Sequence, residues 1–141
     1  MKTLIAIAAL LILPGLAAAQ SSTDEKGVRA AVEQYFKGHA TGSADEMRKA
    51  FLPTARIDAI RDGQLLSRTV DEFVSGFNGK PAADEATRRR TIDHVAMSGT
   101  AAMASVTLVH GATTFTDYFV LLKPNNEWKI ASKVYSSRPT K

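Results

Sequence analysis

Three side chains in this sequence are suited to proton transfer: Asp117, His39 and Tyr35. His39 follows Tyr35 by one helical turn in a segment with apolar residues at helical spacing, so the imidazole and the phenol would face the same way. A histidine paired with a carboxylate can move a proton near neutral pH. Alternatively, His39 packs at the helix end and its ring nitrogens bond to local groups. We therefore assign no catalytic residue and keep Asp117 and His39 as the best candidates.

The face on which Asp117 lies depends on the last predicted hairpin. If Asn125 and Asn126 form a two-residue turn, Pro124 lies opposite Glu127 and the pairing of the two strands is fixed. Alternate residues then share one face: Phe115, Asp117, Phe119, Leu121, Trp128, Ile130, Ser132 and Val134. The opposite face carries Thr116, Tyr118, Val120, Leu122, Lys129, Ala131, Lys133 and Tyr135. The first face is more apolar, so we place it against the helices. A shift of one residue would reverse this.

Asp117 is the only acid on that apolar face. A carboxylate among apolar side chains is costly unless it is paired, hydrogen-bonded or protonated. Such a group is a candidate general base or ligand-binding group. The alternative is an aspartate at the rim of the sheet that bonds to a neighbour or caps the backbone.

Aromatic residues at core spacing could form the walls of a ligand pocket, or could simply fill the core. The candidate ligand-binding set comprises Tyr35, His39, Phe51, Phe77, Phe115, Asp117 and Trp128.

Other chemistries find little support. The three histidines, His39, His94 and His110, show no recognised metal-ligand spacing, and we predict neither a metal nor a cofactor. No glycine-rich phosphate loop or serine nucleophile elbow is present. The basic run 88–90 lacks interleaved aromatic residues, so it indicates a solvated edge and not a nucleic-acid site.

Helices are predicted by pairs of Ser or Thr with Glu three residues later, a pattern typical of capping boxes. These pairs are Ser22–Glu25, Ser43–Glu46 and Thr69–Glu72. We expect the first helix to end at Gly42, the second to carry Met47, Ala50 and Phe51 and stop at Pro53, and the third to reach Phe77 before Asn78–Pro81.

The rest of the chain is typical of strands. Asp62-Gly63 predicts a two-residue hairpin between a strand over 55–61 and a returning strand over 64–68. Four later segments are rich in β-branched and aromatic residues: 92–97, 101–110, 113–123 and 127–137. Helices followed by a long antiparallel meander predict an α+β domain with the helices on one face of the sheet.

The first residues are typical of a signal peptide. Lys2 precedes an apolar run from Leu4 to Leu13, and Ala17–Ala19 supply small residues for cleavage after Ala19. Removing 19 of 141 residues leaves a single domain over 20–141 with no cysteine, so stability must come from packing. We expect a periplasmic or secreted protein with no membrane attachment after cleavage. The alternatives are a buried N-terminal helix or a retained anchor.

Several stretches, in order, resemble the nuclear transport factor 2-like (SnoaL-like) superfamily: YFKGHATGSADEMRKAF, DGQLLSRTVDEFVSGF and FTDYFVLLKPNNEWKIASKVY. More narrowly, they resemble its branch named "putative lumazine-binding". This resemblance implies a cone-shaped, cystatin-like fold, in which three N-terminal helices pack on a strongly curved antiparallel sheet with a pocket between them. It also implies a homodimer joined through the outer sheet face. The family commonly has a histidine at the position of Leu52, which weakens a catalytic scheme that needs it.

Three functions remain open. The first is an exported binding protein whose pocket takes a small apolar or aromatic molecule. The second is an isomerase- or dehydratase-type enzyme with Asp117 as general base and His39 or Tyr35 as its partner. The third is a non-catalytic interaction module with a filled interior, which uses the sheet face around Tyr118, Lys129, Lys133 and Tyr135.

Overall fold

The computed structural model describes the backbone of residues 14–141 and the side chains from Gln20 onward. The apolar core of the predicted signal peptide, at 4–13, lies outside the described residues. The helices are α1 (Pro14–Thr41), α2 (Ala44–Ala50) and α3 (Val70–Val74). The strands are β1 (Phe51–Arg61), β2 (Gln64–Thr69), β3 (Arg89–Ser98), β4 (Ala101–His110), β5 (Thr113–Leu122) and β6 (Lys129–Pro139). Short 3-10 turns cover Glu85–Thr87 and Pro124–Asn126.

Two of the three predicted helix starts are confirmed. Thr69 forms a full capping box with Glu72, with N···O distances of 3.2 and 2.7 Å. Ser43 accepts a bond from the backbone N–H of Glu46 at 3.2 Å. Ser22 does not begin α1, because the helix starts upstream at Pro14 and the residues between include three alanines, which favour helix.

The helix ends differ from the prediction at two places. Gly42 follows α1 as expected, but α3 stops at Val74 and does not reach Phe77, since Ser75-Gly76 disfavours further helix. Phe51 belongs to β1 and not to α2. Pro53 therefore lies within a strand. The pairing of β1 is irregular in this stretch, so the lack of a backbone N–H at Pro53 costs no hydrogen bond between strands.

One six-stranded sheet has the order β2-β1-β6-β5-β4-β3. The prediction of an antiparallel sheet is wrong at one junction, because β1 pairs with β6 in parallel. The other four pairings are antiparallel. A parallel pair needs a long crossover, and here the whole chain between the two strands supplies it. The sequence pattern of each strand carries no information about that distant partner.

Both predicted two-residue turns are present. Asp62 and Gly63 have φ values of 52° and 76° between the paired residues Arg61 and Gln64. Asn125 and Asn126 have φ values of 49° and 63°, and the N–H of Glu127 donates to the Pro124 carbonyl at 2.9 Å. Positive φ at both central positions is what such hairpin turns require.

A β-bulge next to the second turn changes the faces of β6. Leu121 lies opposite Ile130, whereas Val120 lies opposite Ser132, so Ala131 is an extra residue. Up to Ile130 the predicted faces hold, and Asp117 lies on the inner face as predicted. Beyond the bulge they are reversed: Lys133 is buried and Tyr135 half-buried, while Val134 is exposed.

The core lies between the helices and one face of the sheet. It contains Val28, Val32 and Tyr35 from α1 packed against buried residues of β1, β4, β5 and β6. This is the arrangement expected of an α+β domain with its helices on one side of the sheet. No helix in the described part of the chain is both long and apolar enough to cross a bilayer.

Candidate functional site

A cavity of about 180 Å³ lies between the C-terminal half of α1 and the inner face of the sheet. Every element that lines it contributes through one or two side chains. These are Tyr35 and His39 of α1, Phe73 of α3, Leu108 and His110 of β4, Phe115 and Asp117 of β5, and Lys133 and Tyr135 of β6. The walls are thus mainly apolar and aromatic, with a few polar groups, which is the usual composition of a small-molecule site.

Tyr35, Asp117 and Lys133 form a buried hydrogen-bonded triad in this wall. The Tyr35 hydroxyl donates to Asp117 Oδ2 at 2.6 Å and accepts from Lys133 Nζ at 2.6 Å. Lys133 Nζ lies 3.0 Å from the same Asp117 oxygen. Asp117 is 1% exposed and Lys133 4% exposed. Asp117 is therefore buried and does not lie at the rim of the sheet. A cation from the neighbouring strand offsets much of the cost of burying its carboxylate.

The surroundings of the triad shift two of its pKa values. Burial lowers the pKa of the Lys133 ammonium below its usual value, and the neighbouring Asp117 carboxylate opposes this. Burial, with the nearby charge of Asp117, raises the pKa of the Tyr35 phenol well above its usual value. Because its pKa is raised, Tyr35 is a neutral donor at physiological pH. Lys133 Nζ also lies over the rings of Tyr35, Phe73 and Tyr135, at 4.9, 5.0 and 4.7 Å from their centroids.

Some polar atoms of the cavity residues have no partner. Five buried side-chain atoms of the described residues lack a hydrogen bond, and three of them belong to residues that line the cavity: Asp117 Oδ1, His39 Nε2 and His110 Nε2. An unpaired buried polar atom costs about 1–3 kcal/mol. Three such atoms around one cavity are what a site would show when its ligand supplies the missing partners.

The two histidines of the cavity are held in their neutral form. Burial lowers the pKa of His39 well below its usual value, and the positive charge of Lys133 lowers it further by repelling the protonated imidazole. Burial and the nearby Arg88 and Arg90 lower the pKa of His110 to about 4. The rings contact each other, with centroids 5.4 Å apart. Each can therefore offer a ligand one ring N–H or one nitrogen acceptor. In the described part of the chain, no three ligating side chains are grouped so as to hold a metal ion.

The basic run next to the cavity is not simply solvated. Arg90 makes a two-pronged ion pair with Glu85, at 2.6 and 2.9 Å, and its side chain is almost buried. Arg88 bonds to Asp84 at 2.9 Å. Both guanidinium groups are thus held in place by carboxylates, and these carboxylates partly offset the effect of the two arginines on the pKa of His110.

Four of the predicted ligand-binding residues line the cavity: Tyr35, His39, Phe115 and Asp117. Phe77 lies outside it, in a neighbouring depression that it shares with His39. Phe51 is buried in the core, where its ring packs at 6.0 Å from that of Tyr35. Trp128 packs against Gly27, and its indole N–H lies 3.4 Å from Asp24. Gly27 precedes His39 by twelve residues, or about 18 Å along the helix, so Trp128 lies far from the cavity.

Sequence reasoning missed five cavity residues: Lys133, His110, Tyr135, Phe73 and Leu108. Lys133 and Tyr135 belong to the part of β6 whose face the bulge reverses. A usable signal did exist, because a buried Asp117 requires a cation nearby. The third hypothesis placed Lys133 and Tyr135 on the outer face, and this placement is wrong, because both side chains border the cavity.

Comparisons with known proteins show the family to which this fold belongs. The family model described as "Putative lumazine-binding" matches residues 23–136. The chain therefore belongs to that family. It has the nuclear transport factor 2-like, or cystatin-like, α+β fold with a curved sheet.

Individual relatives are distant in sequence. Aldolase FrzH of Cladobotryum sp is 23% identical over 121 residues, which cover 84% of this chain and 95% of that protein. An NTF2-like protein of unknown function from Shewanella baltica has a TM-score of 0.76 at 24% identity, covering 84% of this chain and 97% of its own. Another, from Silicibacter pomeroyi, has a TM-score of 0.75 at 26% identity, covering 84% and 98%. The solved structures establish the fold and leave the ligand open.

Proposed function

We propose that this protein binds a small, largely apolar or aromatic molecule in the cavity between α1 and the sheet. The observation that carries the proposal is the cavity itself, in which apolar walls surround three partnerless polar atoms. A well-packed core keeps neither empty space of this size nor unpaired polar atoms without a reason. The cone-shaped packing expected of the family, with helices closing one end of the curved sheet, belongs to the same proposal.

The cavity volume limits the size of the ligand. An apolar cavity of about 150 Å³ is known to hold benzene, so 180 Å³ suits one aromatic ring with a few substituents. Asp117 Oδ1 can accept a hydrogen bond from such a ligand, and neutral His39 and His110 can donate or accept. The ligand would thus be held by its apolar body and oriented by one to three polar contacts.

Filling the cavity should abolish binding. We expect Phe115→Trp to project an indole into the cavity and displace the ligand, because Phe115 is a half-buried wall residue. Native mass spectrometry of protein purified gently from its own host should then show a retained small molecule in the unaltered protein and none in the variant.

Phe77→Trp is the matched control, since Phe77 is equally half-buried but lies outside the cavity. It should keep the ligand. Retention of the same molecule by both variants would place the binding site elsewhere and contradict the proposal.

An enzyme that uses Asp117 as general base is a second candidate. The observation that favours it is the free Oδ1 of a buried carboxylate beside a cavity. The name of the relative, aldolase FrzH, adds a related protein of catalytic type. An isomerase or dehydratase reaction would begin with removal of a proton from carbon. Incubating the identified ligand with the protein in D₂O tests this, and failure to exchange any carbon-bound proton would leave binding alone.

We also propose that the protein is exported to the periplasm or beyond, on the basis of residues 1–19. Cleavage after Ala19 would shorten α1 so that it begins near Gln20, just before the capping pair Ser22 and Glu25. N-terminal sequencing of protein from the host's periplasmic fraction and medium should begin at Gln20. A chain that retains residues 1–19 in the cytoplasm would contradict export.

A homodimer joined through the outer sheet face is the assembly that we propose. Five exposed apolar side chains lie close together there, each between 42% and 53% exposed: Met103, Tyr118, Val120, Leu122 and Val134. Cross-strand pairing brings Met103 next to Val120 and Tyr118 next to Val134. A contiguous apolar patch of this kind is typical of an interaction surface.

A charge in this patch should dissociate the dimer. We expect Val120→Glu to give a monomer by light scattering after size exclusion, while the control Leu65→Glu remains dimeric. Leu65 is 71% exposed and lies in β2, three strands from β5. A monomer in the unaltered protein at micromolar concentration would rule the proposal out.

A further inference from the structure

The amine of Lys133 lies in the wall of the cavity. A lysine whose only role is to neutralise a buried carboxylate needs no open space beside it. Here Lys133 and Asp117 both border the same 180 Å³ space, and Lys133 Nζ also contacts the Tyr35 hydroxyl. A buried amine, a carboxylate and a phenol thus meet at an apolar cavity. This combination suits covalent chemistry as well as binding, because desolvated lysines are the residues that form Schiff bases.

We propose that Lys133 Nζ forms an imine with the carbonyl carbon of a small aromatic or apolar aldehyde or ketone bound in this cavity. The inference rests on the proposed binding function and adds two things to it: the chemical class of the ligand, and a covalent site.

The three groups of the triad can carry out the step. Asp117 takes a proton from the Lys133 ammonium across their 3.0 Å contact, which frees the nitrogen lone pair. The amine attacks the carbonyl carbon, a C–N bond forms, and the carbonyl electron pair moves to oxygen. Tyr35 then gives its proton to that oxygen and regains one from the nitrogen, since it bonds to Lys133 at 2.6 Å.

Loss of water completes the step. Protonated Asp117 returns its proton to the new hydroxyl, the C–O bond breaks, and water leaves. A protonated imine remains, opposite the Asp117 carboxylate. Lysine ammonium and carbonyl compound have become protonated imine and water, with charge conserved and no oxidant or reductant required.

The surroundings favour this product. Burial lowers the pKa of Lys133, so a larger share of the amine is neutral than for an exposed lysine. The apolar walls, including Leu108 and Phe115, discourage the return of water to the imine. The positive charge of the product replaces that of the lysine ammonium at the same place, so the aromatic rings around Nζ continue to stabilise it.

Reductive trapping tests the proposal. The purified protein is incubated at pH 7 with benzaldehyde and sodium cyanoborohydride, which reduces an imine to a stable secondary amine. Digestion and mass spectrometry then locate the modified lysines. We expect Lys133 to be labelled at least about tenfold faster than the exposed Lys26 or Lys80, because the cavity holds the aldehyde next to its amine. Burial also lowers the pKa of that amine, which acts in the same direction.

Three controls separate a covalent site from general lysine reactivity. Lys133→Arg keeps a cation opposite Asp117 but cannot form the imine, so labelling of that peptide should disappear. Lys26→Arg should leave the labelling of Lys133 unchanged. Excess benzyl alcohol, which has the same ring and no carbonyl group, should slow labelling at Lys133 and not at Lys26. This competition uses the unaltered protein, so it remains valid if Lys133→Arg fails to fold.

The outcomes for imine formation and for binding are distinct. If benzyl alcohol binds by calorimetry while Lys133 is labelled no faster than Lys26, the imine proposal is overturned and the binding function stands. If benzyl alcohol does not bind and Lys133 is not labelled, both proposals fail for single-ring ligands. Preferential labelling of Lys133 that benzyl alcohol suppresses supports both.

Discussion

Replacing Asp117 by asparagine should lower the free energy of unfolding by about 3–5 kcal/mol, the cost of leaving one member of a buried ion pair without its partner. Asp117 Oδ2 lies 3.0 Å from Lys133 Nζ, and both side chains are almost completely buried. The amide keeps the shape of the side chain but not its charge, so the Lys133 ammonium is left in the core without a counter-ion. Urea unfolding at pH 7 measures the loss.

A second substitution should restore most of this stability. In Asp117→Asn/Lys133→Met the uncompensated charge is gone, and neutral replacements of buried ion pairs are often tolerated or even stabilising. We therefore expect the double variant to be clearly more stable than Asp117→Asn alone. Such non-additivity identifies the ion pair as the interaction that the single change disrupts.

Glu127→Gln provides the matched control on the surface. Glu127 lies 2.6 Å from Lys129 Nζ, but its side chain is 70% exposed. Exposed pairs contribute at most about 1 kcal/mol, so this variant should unfold almost like the unaltered protein. If Asp117→Asn behaved in the same way, Lys133 would not depend on Asp117 for its charge, and the description of the triad would have to be abandoned.

A comparably large loss of stability is expected from Gly42→Ala, at the turn that ends α1. Gly42 has φ of +62°, and a Cβ atom there would clash with the carbonyl oxygen of Lys80. Its own carbonyl accepts a hydrogen bond from Gly79 N–H at 2.8 Å, which fixes the loop after α3 to the end of α1. A left-handed conformation costs alanine about 1–2 kcal/mol, and the clash adds about 1–3 kcal/mol.

Gly79→Ala separates these two contributions. Gly79 also has positive φ, at +74°, but a Cβ atom there meets nothing within 4 Å. It should therefore lose only the conformational part, about 1–2 kcal/mol, in the same thermal or urea unfolding experiment. Equal losses in the two variants would mean that Lys80 moves away without cost, and that the loop is not held against α1 as the structure has it.

Local features of this protein could be predicted from the sequence because their causes are local. Asp62-Gly63 and Asn125-Asn126 mark hairpin turns, since few other residue pairs accept positive φ at both positions. Thr69 and Glu72 mark a helix start, because each satisfies a backbone group of the other. Alternation along β5 then places Asp117 on the inner face, as predicted.

The composition of the site could not be predicted in the same way. His110 is the last residue of β4 and pairs with Thr113 of β5. It reaches the cavity only because the sheet brings this end of β4 next to His39 of α1. Trp128 has the apolar character of a pocket wall, yet it packs against Gly27 in the middle of α1, away from the cavity. Residue type shows what a side chain can contribute, whereas its distance from the other site residues depends on how the elements pack.

The sequence alone therefore determined the α+β class, both hairpin turns, two of the helix starts and the inward position of Asp117. Only the tertiary structure decided that β1 pairs with β6 in parallel and that Lys133 is the partner of Asp117. The physical reason for the second is the bulge at Ala131, one extra residue that reverses every side chain after it. The reversed face brings the Lys133 ammonium to the buried Asp117 carboxylate, a pairing that exists only once β5 and β6 are packed together.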